Sequence, residues 1–558
     1  MKISLKYFVC TVSILVAASF YSGTTGCRVG IEPLEGDSTT PSTPSTPGAP
    51  GAPGAPGAGG YVGLKVVPTA VARSLATMLT WDPVSGAYSY NVYAHGWAPS
   101  PSVSVIKAVL IDDETLIANT TDTSLDVTGL SNNCVQYDFV VRPVDASGNV
   151  GTVEPQLVSA MPDTEGVLDT TFGGGDGIIQ IGESGTFTDV EVMADGTILA
   201  LKLINLQDSL IAYDENGDQL WEVELVNPLR PDVVIDQAYA LEIDAEGRIL
   251  IGGNDRLFGP PQHKSYVCRL VADAETYVFD TSFGTDGCTD VLHSPLYVGE
   301  VVYDIAFDSQ GRILAAGYVG SDSGDRAAVW RITKSGQQDT TFGEDGLFEY
   351  HLPEPPLPAP PNLDDYQAFG VATGFDGADE RIFLSGRRIG AANAPLVLSV
   401  SDAGALVDIF EHTDFEDGAH DIAVVPQGGL FVAGYAIMSD AIAFRCTTGV
   451  VCDTGTMFDY LLGVDVAKGI DIDCHGRALM AGSATAAGDD QFMVMRTAEA
   501  LNVADAAFAD AGWYLYINAP GLGGGDAHAV ARDPLGRVIV AGARGVGFTE
   551  NPFLLRLQ

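Results

Sequence analysis

Most of the chain consists of short segments in which apolar and polar residues alternate, separated by turn residues. Ala327–Ile332 and Tyr137–Val141 are typical of these segments. Alternation with this period places successive side chains on opposite faces of a β-strand. The 65 glycines and 30 prolines punctuate the pattern and favour many short strands over long helices. The pattern therefore predicts an all-β protein.

One phrase, Asp-x-x-Gly-Arg-Ile-Leu followed by Ala-Gly, recurs from residue 165 to residue 558. Its clear copies are Asp244–Gly253, Asp308–Gly317, Asp473–Gly482 and Asp533–Gly542, and weaker copies lie around Gly196, Arg381 and Gly429. Together they mark seven repeats of about 56 residues.

Each repeat predicts four short strands, which is the content of one propeller blade. The third strand is the most regular, and its further copies are Leu210–Tyr213, Tyr266–Leu270, Leu396–Val400, Ile442–Arg445, Phe492–Arg496 and Phe553–Leu557. A fourth element begins with Asp-Thr-Thr-Phe-Gly or a variant, at Asp169–Gly177, Asp280–Gly287, Asp339–Gly346 and Asp505–Gly512. One such element precedes the first repeat, whereas the last repeat stops after its third strand. We therefore expect the first segment to complete the last blade and close a ring.

The phrases Asp169–Gly173 and Asp308–Gly317 resemble the delta-60 repeat of bacterial secreted and surface proteins. The resemblance covers residues 165–558 and implies a propeller-like fold, here with seven blades. It implies no general enzymatic activity and no ligand.

Residues 61–161 show a different pattern of short strands, which predicts a β-sandwich. Trp81-Asp82-Pro83, Tyr90 and the pair Leu130 and Tyr137 resemble the second strand, third strand and tyrosine corner of a fibronectin type III domain. Such modules act as spacers or interaction domains, and Trp81 is predicted to lie in the core.

Residues 1–26 have the features of a secretory signal peptide, because two lysines precede an apolar run, Tyr7–Phe20, that is too short to span a bilayer. The following Thr24-Thr25-Gly26-Cys27 resembles the lipobox of bacterial lipoproteins, so Cys27 is predicted to be lipidated. Thr24 replaces the usual Leu, which leaves cleavage by ordinary signal peptidase open. Residues 27–60 are rich in Thr-Pro and Gly-Ala-Pro and are predicted to form the anchor site and an extended linker.

Acidic residues dominate the charge, with 73 Asp and Glu against 28 Lys and Arg. This excess argues against nucleic acid as a partner. The recurring Asp residues are interpreted as turn caps, and no cofactor is predicted. Loosely bound calcium is the alternative, and Asp214–Asp218 is the nearest cluster, although it lacks the spacing of an EF-hand loop.

Two of the eight histidines, His420 and His528, occupy similar places in their repeats, and the histidines as a set lack zinc-site spacing. Asp189, Asp304 and Asp471 occupy similar places in theirs. We expect some of these five residues to line the mouth of the channel together, where they would form the one candidate catalytic group. Repeat geometry alone predicts the same convergence, so no catalytic residue is assigned.

The cysteines suggest bridges in an oxidising compartment. Cys446 and Cys452 are six residues apart in a predicted hairpin, and Cys268 and Cys288 are the next candidates.

These observations favour a bacterial cell-surface lipoprotein, at the outer membrane or extracellular, with a non-catalytic propeller that binds a protein or glycan. The protein is expected to be a monomer that contacts membrane only through its lipid. The alternative is a secreted lyase or hydrolase acting on polysaccharide or glycan in the propeller mouth. Asp, His and Arg on the axis would favour the enzyme, whereas apolar or glycine-lined walls would favour binding. A structural envelope component is a third possibility.

Overall fold

The computed structural model describes residues 68–558 with internal gaps. The gaps are 97–114, 129, 131–136, 152–157, 205–206, 227, 230–235, 257–262, 275, 291–298, 322–323, 353–363, 391–392, 413–417, 426–427, 436–439, 454–455, 459–464, 487–488, 499–503, 517–523 and 547–548. Within the described residues all regular structure is β-strand, which confirms the predicted all-β class. This part of the chain has no helix of the length and apolarity needed to cross a membrane.

The first seven strands form two antiparallel sheets, one of order β1-β2-β5 and one of order β4-β3-β6-β7. The strands are β1 (Pro68–Arg73), β2 (Ala76–Trp81), β3 (Ser89–Gly96), β4 (Thr115–Thr120), β5 (Ser124–Thr128), β6 (Tyr137–Val144) and β7 (Val158–Ala160). Trp81, Tyr90, Leu130 and Tyr137 are buried in one core, as a sandwich requires. The fibronectin type III assignment itself stays a prediction.

Seven further antiparallel sheets follow along the chain, and each has four main strands. We number these sheets as blades 1 to 7. Blades 1 to 3 contain β9 (Gly185–Val192), β10 (Ile198–Ile204), β11 (Gln207–Tyr213) and β12 (Gln219–Glu224); β13 (Asp236–Ile243), β14 (Ile249–Arg256), β15 (His263–Asp273), β16 (Thr276–Phe279) and β17 (Cys288–Asp290); and β18 (Gly299–Phe307), β19 (Ile313–Ser321), β20 (Gly324–Ile332) and β21 (Leu347–Tyr350). Blades 4 to 6 contain β22 (Asp365–Asp376), β23 (Asp379–Ile389), β24 (Ala394–Ser401) and β25 (Leu406–Glu411); β26 (Ala419–Val424), β27 (Leu430–Tyr435), β28 (Ala441–Cys446) and β29 (Thr456–Phe458); and β30 (Asp465–Ile472), β31 (Ala478–Ala486), β32 (Asp489–Arg496) and β33 (Trp513–Tyr516). Blade 7 contains β34 (Gly525–Arg532), β35 (Val538–Val546), β36 (Thr549–Leu557) and β8 (Ile178–Gln180).

The first strand of each blade is the innermost, and these strands contact one another in a closed cycle. Strand β34 of blade 7 contacts β9 of blade 1, so the sheets form a β-propeller. The ring is fastened by β8, which pairs with β36 and supplies the fourth strand of the last blade. The expected closure by the first segment is therefore confirmed.

The recurring Asp-x-x-Gly-Arg phrase forms the turn between the first two strands of a blade. In blade 3, Asp308 Oδ1 accepts hydrogen bonds from the backbone N–H groups of Gln310 and Arg312, and Asp308 Oδ2 pairs with the Arg312 guanidinium. Asp244, Asp473 and Asp533 make the same contacts in their turns. The recurring aspartates are thus turn caps, as the sequence indicates.

The recurring Asp-x-x-Phe-Gly segment forms a second fastening, which we call the Arg clasp. In blade 3, the buried Arg331 of β20 pairs with Asp339, stacks on the Phe342 ring and donates to the backbone oxygen of Asp402 in blade 4. Equivalent clasps are built on Arg269 and Asp280, on Arg496 and Asp505, and on Arg556 and Asp169. Each clasp joins its own blade to a neighbouring segment of the ring.

Two disulfides lie within single blades. Cys268 is bonded to Cys288 between β15 and β17, and Cys446 is bonded to Cys452 across the hairpin after β28. Both pairs are those expected from the sequence.

Candidate functional site

Every inner strand of the propeller contains a β-bulge at the same position. In β18, Val302 pairs with Gly317 and Asp304 pairs with Ala316, so Tyr303 has no partner in the ladder. A bulge of this kind leaves one residue outside the regular pairing and redirects its side chain.

Glycine in the second strand makes room for the bulge. A Cβ at Gly317 would lie 1.7 Å from the backbone oxygen of Val301, and one at Gly482 would lie 1.8 Å from that of Val466. These glycines end the recurring Ala-Gly phrase. The Ala-Gly phrase of the second strand therefore predicts where the inner strand has its bulge. It also predicts which residue of that strand has no partner in the ladder.

The seven bulge residues form what we call the axial ring. In blade order they are Thr188, Tyr239, Tyr303, Phe369, His420, Lys468 and His528. All seven are half-buried. His420 and His528 are structurally equivalent, as their places in the repeats predict.

Four consecutive blades give the ring an aromatic arc, made of Tyr239, Tyr303, Phe369 and His420. Neighbouring ring centroids lie 5.2 Å apart for Tyr239 and Tyr303, 5.3 Å for Tyr303 and Phe369, and 5.2 Å for Phe369 and His420. The guanidinium of Arg387 lies 5.2 Å from the Phe369 centroid. Tyr239, Tyr303 and Phe369 are tilted or edge-on to one another, at 56° and 66°, whereas Phe369 and His420 are nearly parallel at 10°. This part of the axial ring is therefore a run of contacting aromatic rings with a cation at its edge.

The other half carries a polar cluster of Lys468, Asp526 and His528. Lys468 Nζ donates to Asp526 Oδ2, and His528 Nε2 lies 3.4 Å from the same oxygen. Burial acts to raise the pKa of Asp526, but the contacts with His528 and Lys468 outweigh it and lower the pKa to about 2. Asp526 is therefore ionised throughout the physiological range.

The orientation of His528 follows from its other nitrogen. His528 Nδ1 lies 3.0 Å from the backbone oxygen of Phe187 and 3.2 Å from Thr186 Oγ1. Because a carbonyl oxygen only accepts, we assign the proton of the neutral ring to Nδ1. Nε2 faces Asp526 Oδ2, and the 3.4 Å contact is a hydrogen bond when Nε2 also carries a proton.

His420 has a different environment from its equivalent. Its imidazole is stacked between Phe369, at an interplanar angle of 10°, and Tyr435, at 28°. Burial lowers the pKa of His420 to about 4, and the charges of Lys468 and Arg387 act in the same direction. His420 is thus neutral wherever the protein functions near neutral pH.

Carboxyl groups line the inner strands beyond the axial ring. Asp189 accepts from the backbone N–H of Leu241 in the next blade at 2.7 Å, and Asp304 accepts likewise from Val371 at 2.7 Å. Burial, with neighbouring carboxylates, raises the pKa of both aspartates. These two residues fasten adjacent blades rather than face the ring.

The aspartates expected to meet are thus only partly equivalent. Asp421, not Asp471, occupies the position of Asp189 and Asp304, and it accepts from the backbone of Ile470. Asp471 lies two residues further along its strand and pairs with Arg532 at 2.7 Å. The sequence already contains the difference, because Asp189 and Asp304 precede their turn glycines Gly196 and Gly311 by seven residues and Asp471 precedes Gly476 by five.

Sequence reasoning missed Lys468, Asp526 and the aromatic arc. These residues differ in type from blade to blade, so a search for recurring residues passes over them. Aligning the repeats on their Ala-Gly phrases would have shown that the bulge residues, including Lys468 and the aromatic residues, occupy equivalent positions in the blades.

Other predicted sites lie elsewhere. In the proposed calcium cluster, Asp214 Oδ1 accepts from the backbone N–H groups of Asn216 and Asp218, as in the other capped turns. Cys27 lies outside the described residues, and its lipidation stays a prediction.

No protein-family model matches the chain. No curated protein matches it either. Among solved structures, a virginiamycin B lyase from Staphylococcus aureus is similar at 13% identity and a TM-score of 0.37, covering 68% of this chain and 98% of the lyase. An ulvan lyase of polysaccharide lyase family 25 is similar at 11% identity and a TM-score of 0.46, covering 68% of this chain and 96% of that enzyme. An α-L-arabinofuranosidase from Fusarium graminearum is similar at 8% identity and a TM-score of 0.34, covering 67% and 93% of the two chains. At these TM-scores and identities the likeness carries no argument about the activity of this chain.

Proposed function

We propose that the propeller binds a polysaccharide on its axial ring and cleaves it by β-elimination next to a uronate carboxylate. The observation that carries the proposal is the division of one ring into an aromatic arc and a polar cluster. Binding sites for small molecules combine apolar walls with a few converging polar groups, and this ring has that composition.

The aromatic arc supports a saccharide ligand. The C–H face of a pyranose ring is apolar and flat, and it packs well on aromatic rings, whereas its hydroxyls need polar partners. Tyr239, Tyr303 and Phe369 supply contacting aromatic rings that are tilted or edge-on to one another, so a single ring face, rather than one plane across all three, would pack on a sugar.

The cations support an acidic saccharide. The chain has a formal net charge of −45, yet Lys468 and Arg387 lie at its axis. A positive side chain near the base stabilises the negative charge that develops on a carboxylate when the adjacent carbon loses its proton.

The polar cluster supplies a general base. In its neutral form His528 takes the proton from that carbon at Nε2, and Asp526 pairs with the imidazolium that forms. The electron pair forms a carbon–carbon double bond as the glycosidic C–O bond breaks, and the imidazolium returns its proton to the leaving oxygen. Asp526 holds Lys468 and His528 in place, and it cannot act as a protonated acid because its pKa is about 2.

Hydrolysis is the second candidate, because glycoside hydrolysis uses two carboxyls with pKa values pushed apart. Burial raises the pKa of Asp325, while Asp526 stays ionised. Elimination leaves an unsaturated uronyl end, whereas hydrolysis leaves two saturated ends, so the products separate the two reactions.

The test is incubation of the protein with polygalacturonate, alginate and hyaluronan, followed by ultraviolet absorbance and mass spectrometry of the products. We expect an unsaturated product from one of them and a loss of about 100-fold or more in rate for His528→Ala and for Lys468→Met. His351→Ala and Lys334→Met are matched controls, since neither residue lies in the axial ring.

If the protein binds one of the polysaccharides but forms no product, the proposed cleavage is wrong and non-catalytic binding is the function. Saturated products would replace elimination with hydrolysis. Equal rates for His528→Ala and His351→Ala would remove His528 from the mechanism. Display of the propeller at a cell surface through Cys27 is compatible with each of these outcomes.

A further inference from the structure

Arg387 differs from the cations around it because it has no carboxylate partner. Lys468 pairs with Asp526, and Arg388, the next residue along β23, pairs with Glu411. The described contacts of Arg387 are instead two hydrogen bonds to an amide oxygen and the face of an aromatic ring. The chain has a net charge of −45, yet the charge of this guanidinium is left free to attract an anion.

The position of Arg387 is fixed on one side by Gln367. Arg387 Nε and Nη2 donate to Gln367 Oε1 at 3.3 Å and 3.1 Å. Gln367 is buried, and its own amide nitrogen donates to Asp325 Oδ2 of blade 3 at 2.7 Å. The neutral amide therefore lies between the guanidinium and the Asp325 carboxylate, and it orients Arg387 without cancelling its charge.

The other edge of the guanidinium is open. Arg387 Nη1 makes no hydrogen bond within the described residues, and it is not one of their buried unpaired atoms, so solvent reaches it. The residue as a whole is half-buried. Nη1 and the second N–H group of Nη2 form the planar fork that pairs with the two oxygens of a carboxylate. Arg387 therefore presents an oriented and accessible edge of the right shape for that group.

This edge belongs to the same region as the aromatic arc. The guanidinium lies 5.2 Å from the centroid of Phe369, which contacts both Tyr303 and His420. Arg387 is in blade 4, whereas the polar cluster with the proposed base is in blades 6 and 7. Since blade 5 lies between them, a saccharide that crosses the axial ring can meet the base and Arg387 with different sugars.

We infer that Arg387 forms a second subsite of the axial ring, which binds the carboxylate of a uronate other than the one at the cleaved bond. Its free edge donates to both oxygens of that carboxylate. The inference rests on the proposed cleavage of a polyuronate and adds a requirement to it, because the bound chain then needs two acidic sugars. Arg387 binds the substrate and takes no part in the proton transfer.

The test is titration of the full chain with oligomers of whichever of the three polyuronates it binds, and with the same oligomers after reduction of their carboxylates to alcohols. All proteins in the titrations carry His528→Ala, so that the oligomers stay intact. The variants are Arg387→Met, which removes the charge, and Arg387→Lys, which keeps a charge without the planar fork.

Arg544→Met is the matched control. Arg544 also lies against aromatic rings, those of Tyr516 and Phe553, and donates to an amide oxygen, that of Gln180. Neither ring belongs to the aromatic arc. Its removal changes the net charge by the same amount as removal of Arg387.

We expect Arg387→Met to weaken binding of the native oligomer about 10- to 100-fold, and Arg387→Lys to recover part of the loss. The reduced oligomer binds weakly and equally with or without Arg387, because its carboxylate is gone. Arg544→Met leaves both affinities unchanged, and thermal unfolding of every variant stays close to that of its parent. In cleavage assays with His528 present, Arg387→Met raises KM and leaves kcat unchanged.

Unchanged affinity of Arg387→Met for the native oligomer overturns the subsite and leaves the proposed cleavage standing. An equal loss for the reduced oligomer, or for Arg544→Met, also overturns the subsite, because the effect then has another cause than the carboxylate. A lower kcat at unchanged KM overturns it as well, since Arg387 then acts on the cleaved sugar.

Failure of the chain to bind any of the three polyuronates overturns both proposals. Binding that depends on Arg387 without any cleavage overturns the reaction alone and keeps the carboxylate subsite. The two failures are thus distinguishable.

Discussion

The outer parts and the inner strands of the propeller use repetition in opposite ways. Outside the axis, the same residues return from blade to blade, as in the clasps of Arg269, Arg331, Arg496 and Arg556. At the axial ring the same backbone position carries Thr, Tyr, Phe, His or Lys. The recurring residues therefore hold the blades together, and the residues that differ between blades determine which side chains line the axis.

The contrast also appears in charge. The clasps neutralise buried arginines with buried aspartates, and the pKa of Asp169, Asp280 and Asp339 is lowered because partner contacts outweigh burial. On the inner strands burial raises the pKa of Asp189 and Asp304, and neighbouring carboxylates raise it further. The outer contacts are therefore stabilising at neutral pH, whereas burial of the inner carboxyls disfavours their ionised form.

The largest effect is expected from breaking a clasp. The side chains of Arg556 and Asp169 are 1% and 2% exposed. Asp169→Asn leaves a buried guanidinium without its carboxylate, and we expect a loss of about 3–5 kcal/mol in the free energy of unfolding. Chemical denaturation measures the loss. Asp176→Asn is the matched control, since Asp176 is exposed in the same segment.

If the proposed cleavage of polyuronate is observed, the clasp variant should cleave at the wild-type rate at temperatures where it stays folded. A loss of rate in the folded Asp169→Asn protein, with little change in stability, would contradict the division between fold and chemistry.

A smaller effect is expected at the aromatic arc. Phe369→Ala removes the centre of contacts to Tyr303 and His420, and we expect polyuronate affinity to fall about tenfold, or about 1.4 kcal/mol. Titration calorimetry measures the affinity. Phe375→Ala is the control, because Phe375 lies on the same strand and is 56% exposed. If Phe369→Ala and Phe375→Ala bind polyuronate with equal affinity, the aromatic arc is not part of the binding surface.

The smallest effect concerns pH. Burial, with the charge of Asp304, raises the pKa of Glu242 from 4.5 to about 8. A raised folded pKa means that folding favours the protonated form. This stability is fully present below about pH 4.5 and is lost as pH rises through 8.

Glu242→Gln mimics the protonated acid, so the variant should equal wild type near pH 5 and exceed it at pH 8 by about 1 kcal/mol or more. Thermal unfolding at both pH values measures the difference. Glu246→Gln, in the exposed turn that follows, should change neither value. A gain at pH 5 as large as the gain at pH 8 would show that the carboxyl is not titrating.

Much of the fold follows from the sequence because its determinants are local and repeated. Asp308 predicts a capped turn, and the third strand of each blade has a regular pattern. The unmatched Asp169–Gly177 element predicts that the ring closes, and β8 provides this closure. The Arg clasp was not predicted, because it joins residues of different blades.

The site was predicted only in part. His420 and His528 were grouped correctly because both follow the same repeat pattern. Lys468 and Asp526 were missed because their meeting depends on side chains that cross from blade 6 to blade 7. Asp471 was placed wrongly because it lies five residues before its turn glycine, whereas Asp189 and Asp304 lie seven residues before theirs.

The pairing of β8 with β36 also sets an order of events in time. About 370 residues separate the two strands, and at 5–20 residues per second the ribosome needs roughly 20–75 s to make them. Until the final strand is available, blade 7 is incomplete and β8 has no partner. During synthesis β8 therefore stays unpaired until β36 has been made. The axial ring is completed only after that pairing.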